Sequence, residues 1–230
     1  MSSTRHAIES ESIKKSMGIA ILVFVVSAFA MFTSVASAAE LHVGPGQTYS
    51  TIQSAVNAAS AGDTIIVHDG TYNENVDVDV AHLTIQSQNG SANCIVQGTL
   101  DDHVFYIGYN KDYVNLSGFT IKGAAGSTKA GIYPDHGDYC NISNNDISAN
   151  RYGIQLRYTT HSTFSDNTAN SNTHVGIYLA WGDTDNEITG NTFNSNTNHG
   201  IYIETTEPSS NNISCNYIYN NLTSTQLLFL

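Results

Sequence analysis

Four phrases set a beat in the second half of the chain: Gly131-Ile132-Tyr133, Gly153-Ile154-Gln155-Leu156, Gly176-Ile177-Tyr178-Leu179 and Gly200-Ile201-Tyr202-Ile203, spaced by 22, 23 and 24 residues. Apolar and polar positions alternate within them, the pattern of a short strand with one buried face. A second phrase keeps step: Asn141-Ile142-Ser143, Thr163-Phe164-Ser165, Glu187-Ile188-Thr189 and Asn212-Ile213-Ser214. Asn145, Asn167, Asn191 and Asn216 recur in register, and so do Asn150, Asn172, Asn196 and Asn221, with Ile147, Ala169, Phe193 and Ile218 as the apolar column between them.

A period in the low twenties that carries short strands is the mark of a solenoid. The recurring leucines of a leucine-rich repeat are absent, which leaves an all-β, single-stranded, right-handed parallel β-helix with coils of about 22–25 residues. Each strand then pairs with its equivalent one coil on, and identical residues stack. Ile132, Ile154, Ile177 and Ile201 are expected to face inward, because side chains alternate along a strand. The asparagines are expected at corners, in the left-handed region, bonded to one another as ladders. The glycines are expected to turn the chain at no steric cost.

Earlier coils are less regular. Val114–Ile121 matches the second phrase, and Leu83-Thr84-Ile85, Cys94-Ile95-Val96 and Val104-Phe105-Tyr106-Ile107 read as strands. Gly62-Asp63-Thr64-Ile65-Ile66-Val67 opens the first coil and Asp69-Gly70-Thr71-Tyr72 turns out of it. One helix precedes the coils. Ser50-Thr51-Ile52-Gln53 has the spacing of a capping box with Ser50 as N-cap. Ile52, Ala55, Val56 and Ala59 follow as one apolar face, and Gly62 can end the helix. The open end of a solenoid exposes core and strand edge, so this short helix is the natural lid. At the other end Thr225–Leu230 stands where a further Gly-Ile strand is expected. It is either a last half-coil or the point where a longer protein has been cut, and the lack of a polar cap favours a fragment.

Residues 1–38 stand apart as an export signal. Lys14-Lys15 precede an uncharged run, and Ser34-Val35-Ala36-Ser37-Ala38-Ala39 contains an Ala-x-Ala cleavage site. The alternative is an uncleaved anchor over residues 17–39, long enough to span a bilayer. Either way the protein is expected to be secreted or held at the cell surface. The division is then a signal at 1–38, an N-terminal cap with its helix at 39–62 and the β-helix at 63–230.

Only 12% of residues are charged, against about 25% in a typical domain. Asn, Ser, Thr and Gly take their place, as short strands and many turns require. The part after residue 38 holds 5 basic and 18 acidic residues, a net charge of −13. Such a surface repels nucleic acid and anionic membranes. It also repels polyuronates unless calcium or a local basic patch intervenes. Cys94, Cys140 and Cys215 form no disulfide framework. Cys140 and Cys215 should lie three coils apart, roughly 14 Å at the usual strand spacing, and all three read as packed thiols.

Gln47-Thr48-Tyr49-Ser50-Thr51-Ile52-Gln53-Ser54-Ala55-Val56-Asn57-Ala58-Ala59, followed by Gly62-Asp63-Thr64-Ile65 and Gly70-Thr71-Tyr72, resembles the opening of right-handed β-helix proteins of the pectate-lyase-like superfamily. The Gly-Ile-x-Leu and Asn-x-Ile-x-x-Asn repeats resemble the NosD-like, carbohydrate-binding β-helix repeats. The resemblance spans roughly residues 41–222. It implies an exported prokaryotic surface protein, archaeal in many such cases, and one fold that hosts many activities.

Enzyme signatures on that fold are sparse here. The part after residue 38 has only Lys111, Lys122, Lys129, Arg151 and Arg157 as bases, and Asp101-Asp102 is an isolated acidic pair without the companion motifs of galacturonan hydrolases. The catalytic segments of pectin esterases are not found. Tyr133-Pro134-Asp135-His136-Gly137-Asp138 is similar, in scrambled order, to the Asp-Pro-His-Asp motif of mannuronan epimerases. The resemblance casts His136 as a base, Asp135 or Asp138 as a neutralising or calcium-binding group, and Arg157 as a further suspect. The plain alternative is a polar turn between coils.

A second lead is the stack itself. With the isoleucines inward, Tyr133, Gln155, Tyr178 and Tyr202 form an outward column. Asp135, Arg157, Ala180 and Glu204 form another, with Trp181 beside it. Tyrosines with carboxylates and an arginine on a flat sheet suit sugar: the rings pack on sugar faces and the polar groups bond hydroxyls. The alternative is cross-strand packing of tyrosines for stability, worth roughly 0.2–1 kcal/mol a pair. Asn89, Asn115, Asn141, Asn212 and Asn221 begin glycosylation sequons. Asp77-Val78-Asp79 and Asp183-Thr184-Asp185 are short acidic pairs that leave calcium as the one ion to consider. No cofactor is implied, and no copper ligand set is recognised.

The functional expectation is an exported, non-catalytic carbohydrate-binding module whose partner is an extracellular polysaccharide or surface glycan. The alternatives are a polysaccharide lyase or uronate epimerase, and a structural surface-layer or adhesion repeat.

Overall fold

The computed structural model describes residues 37–99, 101–180, 182–204 and 210–222. The export signal or anchor over 1–38, Trp181 and the segment 225–230 fall outside these residues, apart from the last two positions of the signal.

Three parallel sheets of eight, six and seven strands wrap one core. Each strand pairs with the strand one coil before and one coil after, so the chain is a parallel β-helix of about seven turns. The expected registers hold: Ile142 lies between Leu116 and Phe164, Ile147 between Ile121 and Ala169, and Ile177 between Ile154 and Ile201. These side chains are buried in a single continuous core.

The corners differ from expectation by one residue. The left-handed positions are Asn144, Asp166, Gly190 and Cys215 in one column and Ala149, Ser171, Ser195 and Asn220 in another. Each stands just before a ladder asparagine, so the turn residue reverses the chain and the asparagine behind it points inward. Asn145, Asn167 and Asn191 are 2%, 1% and 1% exposed. Asn167 Oδ1 accepts from the backbone N–H and Nδ2 of Asn145, both at 3.1 Å, and Asn167 Nδ2 donates to Ile142 O at 2.8 Å. The Asn150–Asn172–Asn196–Asn221 column repeats the arrangement. These side chains satisfy the buried donors and acceptors that a sheet corner would otherwise leave unpaired.

The repeated glycines are also explained differently. Gly131, Gly153, Gly176 and Gly200 sit within strands and are not in the left-handed region. Space excludes a side chain there: a Cβ on Gly153 would lie 2.4 Å from Gly176 O, and one on Gly176 would lie 2.6 Å from Gly200 O.

The helix runs Ile52–Ala58 and buries Ile52, Ala55 and Val56 against the first strands. Its N-cap is Thr51 rather than Ser50, because Thr51 keeps extended backbone angles and its hydroxyl accepts from Ser54 N. Glu74 adds a second cap, its two carboxylate oxygens accepting from Ile52 N at 2.8 Å and Gln53 N at 2.9 Å. The helix ends at Ala58, before Gly62. One strand had no signal in the pattern: Glu40–Val43 precedes the helix and pairs with Thr64–Val67.

Cys94 and Cys140 are buried, and burial pushes both thiols up to about 12. Cys215 is exposed at a left-handed corner, which corrects its reading as a packed thiol.

Candidate functional site

The six-stranded sheet carries Val76–Val78, Phe105–Ile107, Ala130–Pro134, Tyr152–Leu156, Val175–Leu179 and His199–Ile203 in spatial order. Its inward residues are apolar and buried. Between them one outward column reads Asp77, Tyr106, Tyr133, Gln155, Tyr178, Tyr202. Strand pairing places Asp77 beside Tyr106, Tyr106 beside Tyr133, Gln155 beside Tyr178 and Tyr178 beside Tyr202. The register that pairs Ile132 with Ile154 and Asp135 with Arg157 puts Gln155 beside Tyr133.

The rings pack on one another along the helix axis. Tyr106 and Tyr133 lie 5.9 Å apart with planes 22° apart, and Tyr178 and Tyr202 lie 5.4 Å apart at 30°. Tyr152 flanks Tyr178 at 5.4 Å, and His103 covers Tyr133 at 4.2 Å. Ring faces are therefore largely spent on neighbouring rungs, and edges and hydroxyls face outward. The face holds two cavities that meet at Tyr178 and Glu204. One, of about 310 Å³, is lined by Tyr152, His174, Tyr178, His199, Tyr202 and Glu204. The other, of about 410 Å³, is lined by Tyr133, Gln155, Arg157, Tyr158, Tyr178 and Glu204.

Tyr178 donates its hydroxyl hydrogen bond to Glu204. Burial and then that carboxylate raise the Tyr178 phenol well above its ordinary range. Burial raises Tyr133 as well, partly offset by its hydrogen bond with the Arg157 guanidinium. That same bond is the first cause of a raised Arg157.

The second expected column is not uniformly outward. Asp135 is only 7% exposed, because its carboxylate is the hub of a small network. Asp135 Oδ1 meets His136 Nδ1 at 2.8 Å, Oδ2 accepts from the Tyr106 hydroxyl at 3.2 Å, and Arg157 stands 3.8 Å away. His136 occupies the left-handed region and is sandwiched by Tyr109 and Tyr158, with ring centroids 4.4 and 4.6 Å away. Arg157 and Glu204 are exposed as expected.

Asp138 is half-buried, and its Oδ1 accepts from the backbone N–H of Thr160 at 2.8 Å. Asp183 is 3% exposed and accepts from Thr159 N and Ala180 N, so it is not free to hold calcium. Burial pushes it up to about 7.

Sequence reasoning missed His103, Tyr106, Tyr152 and Tyr158. Tyr106 was within reach, since Val104-Phe105-Tyr106-Ile107 reads as a strand and its polar position continues the tyrosine column. His103 had no signal. Its Nδ1 accepts from Ala130 N at 3.1 Å, and burial, then Lys129, pushes it down to about 4.

A family model described as "Periplasmic copper-binding protein (NosD)" matches residues 56–230. No curated protein matches the chain. Among solved structures, ORF18 of Geobacillus virus E2 is similar with a TM-score of 0.60 at 14% identity, covering 71% of this chain and 36% of that one. The pectin methylesterase PemA from Erwinia chrysanthemi is similar with a TM-score of 0.46 at 12% identity over 70% of this chain and 56% of its own. The alginate lyase of Paenibacillus sp. str. FPU-7 is similar with a TM-score of 0.39 at 19% identity over 72% and 50%. The chain thus spans about a third of the viral protein and about half of each enzyme.

Among the described residues no three His, Cys, Asp or Glu side chains come together as a metal-ligand set. His42 Nδ1 and His68 Nε2 lie 3.1 Å apart, but no third donor completes the pair. The described residues therefore do not assemble a copper site. Nor is any described helix long and apolar enough to cross a membrane.

Proposed function

The chain belongs to the NosD family of β-helix proteins, and from that premise we propose that it is an exported, non-catalytic module that binds a glycan on the outward face of its six-stranded sheet. The observation that carries this reading is the tyrosine column with two cavities opening onto it. Aromatic rings provide large rigid contact area, and hydroxyls, Gln155, Arg157 and Glu204 provide oriented hydrogen bonding. Cross-strand packing alone accounts for rings that touch. It does not account for two cavities lined by tyrosines with charged groups at the rim.

The test is calorimetric titration of the purified protein with neutral and acidic polysaccharides. We expect a saturable heat, and at least a tenfold loss of affinity when Tyr178→Ala and Tyr202→Ala are combined. Unchanged affinity in that double variant rules the face out. Absence of heat with every glycan leaves a structural repeat.

A second reading rests on the Asp135–His136 contact. A carboxylate on Nδ1 leaves Nε2 free to take a proton, the arrangement of a general base, and Arg157 stands beside it. A uronate lyase or epimerase is the reaction class this suits. Heat that continues after mixing, with His136→Asn abolishing it, would favour the enzyme over the binding module.

A further inference from the structure

Strand Glu40–Val43 is the first rung of the eight-stranded sheet and pairs with Thr64–Val67. With the helix packed on it, this strand closes the N-terminal end of the core. Ala39, the residue before it, is held through both its backbone polar groups. Its carbonyl accepts from Thr64 N at 2.8 Å, and its nitrogen donates to Asp63 Oδ1 at 2.7 Å. Ser37 and Ala38 are exposed and lie outside any strand. The bonded frame thus begins at the nitrogen of Ala39.

Asp63 is a buried carboxylate. Its Oδ2 accepts from Ser60 N at 2.8 Å. The bonds from Ala39 and Ser60 hold its carboxyl below the ordinary carboxylate range, against a smaller opposing effect of burial. It is therefore ionised at neutral pH. Among the described residues no Lys, Arg or His stands within ion-pair distance of it. Buried charges are paired as a rule, because a lone one is costly. Here the charge meets two neutral N–H groups.

A cut in the chain would place a cation there. Small residues at the first and third positions before a cut occur in three frames: Ser34-Val35-Ala36, Ala36-Ser37-Ala38 and Ser37-Ala38-Ala39. Cutting after Ala36 leaves the Ala39 nitrogen an amide. Cutting after Ala39 removes that nitrogen from the protein. Cutting after Ala38 turns the nitrogen that already meets Asp63 into an α-amino group. Water adds across the Ala38–Ala39 bond, Ala38 leaves as a carboxylate, and Ala39 keeps the amine, which carries a proton at pH 7.

We propose that a signal peptidase cuts between Ala38 and Ala39, and that Asp63 is the receptor for the amino terminus so formed. The ammonium keeps the present bond to Oδ1, now charge-assisted and roughly twice as strong as its neutral counterpart. Its other hydrogens reach solvent, since Ala39 is exposed. In the precursor the same contact is a neutral amide bond, so the clamp on the first strand tightens only after export. The inference is independent of any ligand on the tyrosine face.

The experiment exports the full chain from a bacterial host and determines the intact mass and first residues of the product. The product should begin at Ala39. A start at Ser37 or Glu40, or an uncut chain, overturns the proposal. The α-amine of the purified product is then acylated near neutral pH. In the native protein it should react on the order of tenfold more slowly than in guanidinium chloride, the factor that a charge-assisted hydrogen bond supplies. Equal rates show an undocked terminus and overturn the receptor role. Asp63→Asn keeps an oxygen for Ala39 and removes the charge. A paired ammonium stabilises the fold below the pH at which a free α-amine loses its proton, and the effect is lost above it. In the processed protein the shift in denaturant midpoint caused by Asp63→Asn should therefore be large at pH 7 and shrink as pH rises past about 8. The chain left uncut by Ala38→Leu, extracted in mild detergent, has an amide at that nitrogen, so there the same shift should not vary with pH. Glu40, next to Ala39, and His82, whose carbonyl accepts from Gly62 N, are present in both backgrounds and cancel in the comparison. A shift independent of pH in the processed protein, or the same pH dependence in both, shows that Asp63 serves only the backbone.

Discussion

Asn167→Ala is the sharpest test of what holds the coils together. Asn167 is 1% exposed, and its side chain makes four hydrogen bonds: two accepted from Asn145, and one donated to each of Ile142 O and Asn191 Oδ1. Truncation removes all four. Asn191 Oδ1 keeps the backbone N–H of Asn167. The backbone N–H of Asn145, one of its amide hydrogens and the Ile142 carbonyl each lose a partner inside the core. A buried donor left unpaired costs about 1–3 kcal/mol. Two such donors and a small void give roughly 3–5 kcal/mol, a large share of the stability of a domain this size. The last rung provides the control. Asn216 makes equivalent bonds to Asn191 and Ile188 but is partly exposed, so water replaces what Asn216→Ala removes and the cost should be near 1 kcal/mol. Urea unfolding followed by circular dichroism measures both, with equal slopes required for the comparison. Hydrogen exchange at the Asn145 amide should accelerate selectively in Asn167→Ala. Equal costs for the two variants, or less than about 1 kcal/mol for Asn167→Ala, would show that the ladder contributes packing rather than satisfied hydrogen bonds.

Other outcomes follow from the same geometry. Gly153→Ala should destabilise by roughly 3 kcal/mol or more, because its Cβ would meet the Gly176 carbonyl oxygen, a backbone atom held by the sheet; a thermal melt reads this directly. Ala149→Gly should raise stability by about 0.5–1 kcal/mol, since relief of left-handed strain exceeds the added unfolded-state entropy. Glu74→Ala removes the carboxylate that caps two helix N–H groups and should cost about 2 kcal/mol, seen as a lower urea midpoint. His103 is pushed from 6.5 down to about 4, so folding expels its proton. Its contribution is complete above pH 6.5 and is lost as pH falls toward 4. Compared with His103→Asn, the wild type should lose roughly 2 kcal/mol across that window after allowance for its partial solvent contact. A stability difference independent of pH would refute the assignment.

The repeat was legible because a β-helix stacks equivalent residues, and stacking writes itself into sequence as a period. The strands, their inward isoleucines and the outward tyrosine column all follow from that. What escaped was set by atoms the period does not specify. The left-handed residue lies one position before each asparagine, since an asparagine that reaches into the core cannot also be the residue that reverses the chain. Glycine recurs in the strands for want of space beside the next coil's carbonyl, a fact about neighbours rather than about backbone angles. Asp135 counts as outward by alternation, yet Tyr106, His136 and Arg157 close around it. The strand Glu40–Val43 belongs to no repeat and gave no periodic signal.

The two asparagine columns carry one more consequence. They are five residues apart in each of the four coils that carry them, 145 to 150, 167 to 172, 191 to 196 and 216 to 221. Neither side of that corner can lengthen without breaking a ladder. Measured at these asparagines, the coil nevertheless grows from 22 residues, 145 to 167, to 25, 191 to 216. All of that growth falls in the two turns that border the six-stranded sheet: Ile147 to Ile154 is seven residues while Phe193 to Ile201 is eight, and Ile154 to Phe164 is ten while Ile201 to Ile213 is twelve. The scaffold thus divides labour by edge. One edge is a fixed spine, and the other two are free margins where insertions reshape the rim of the tyrosine face coil by coil, leaving the core as it was.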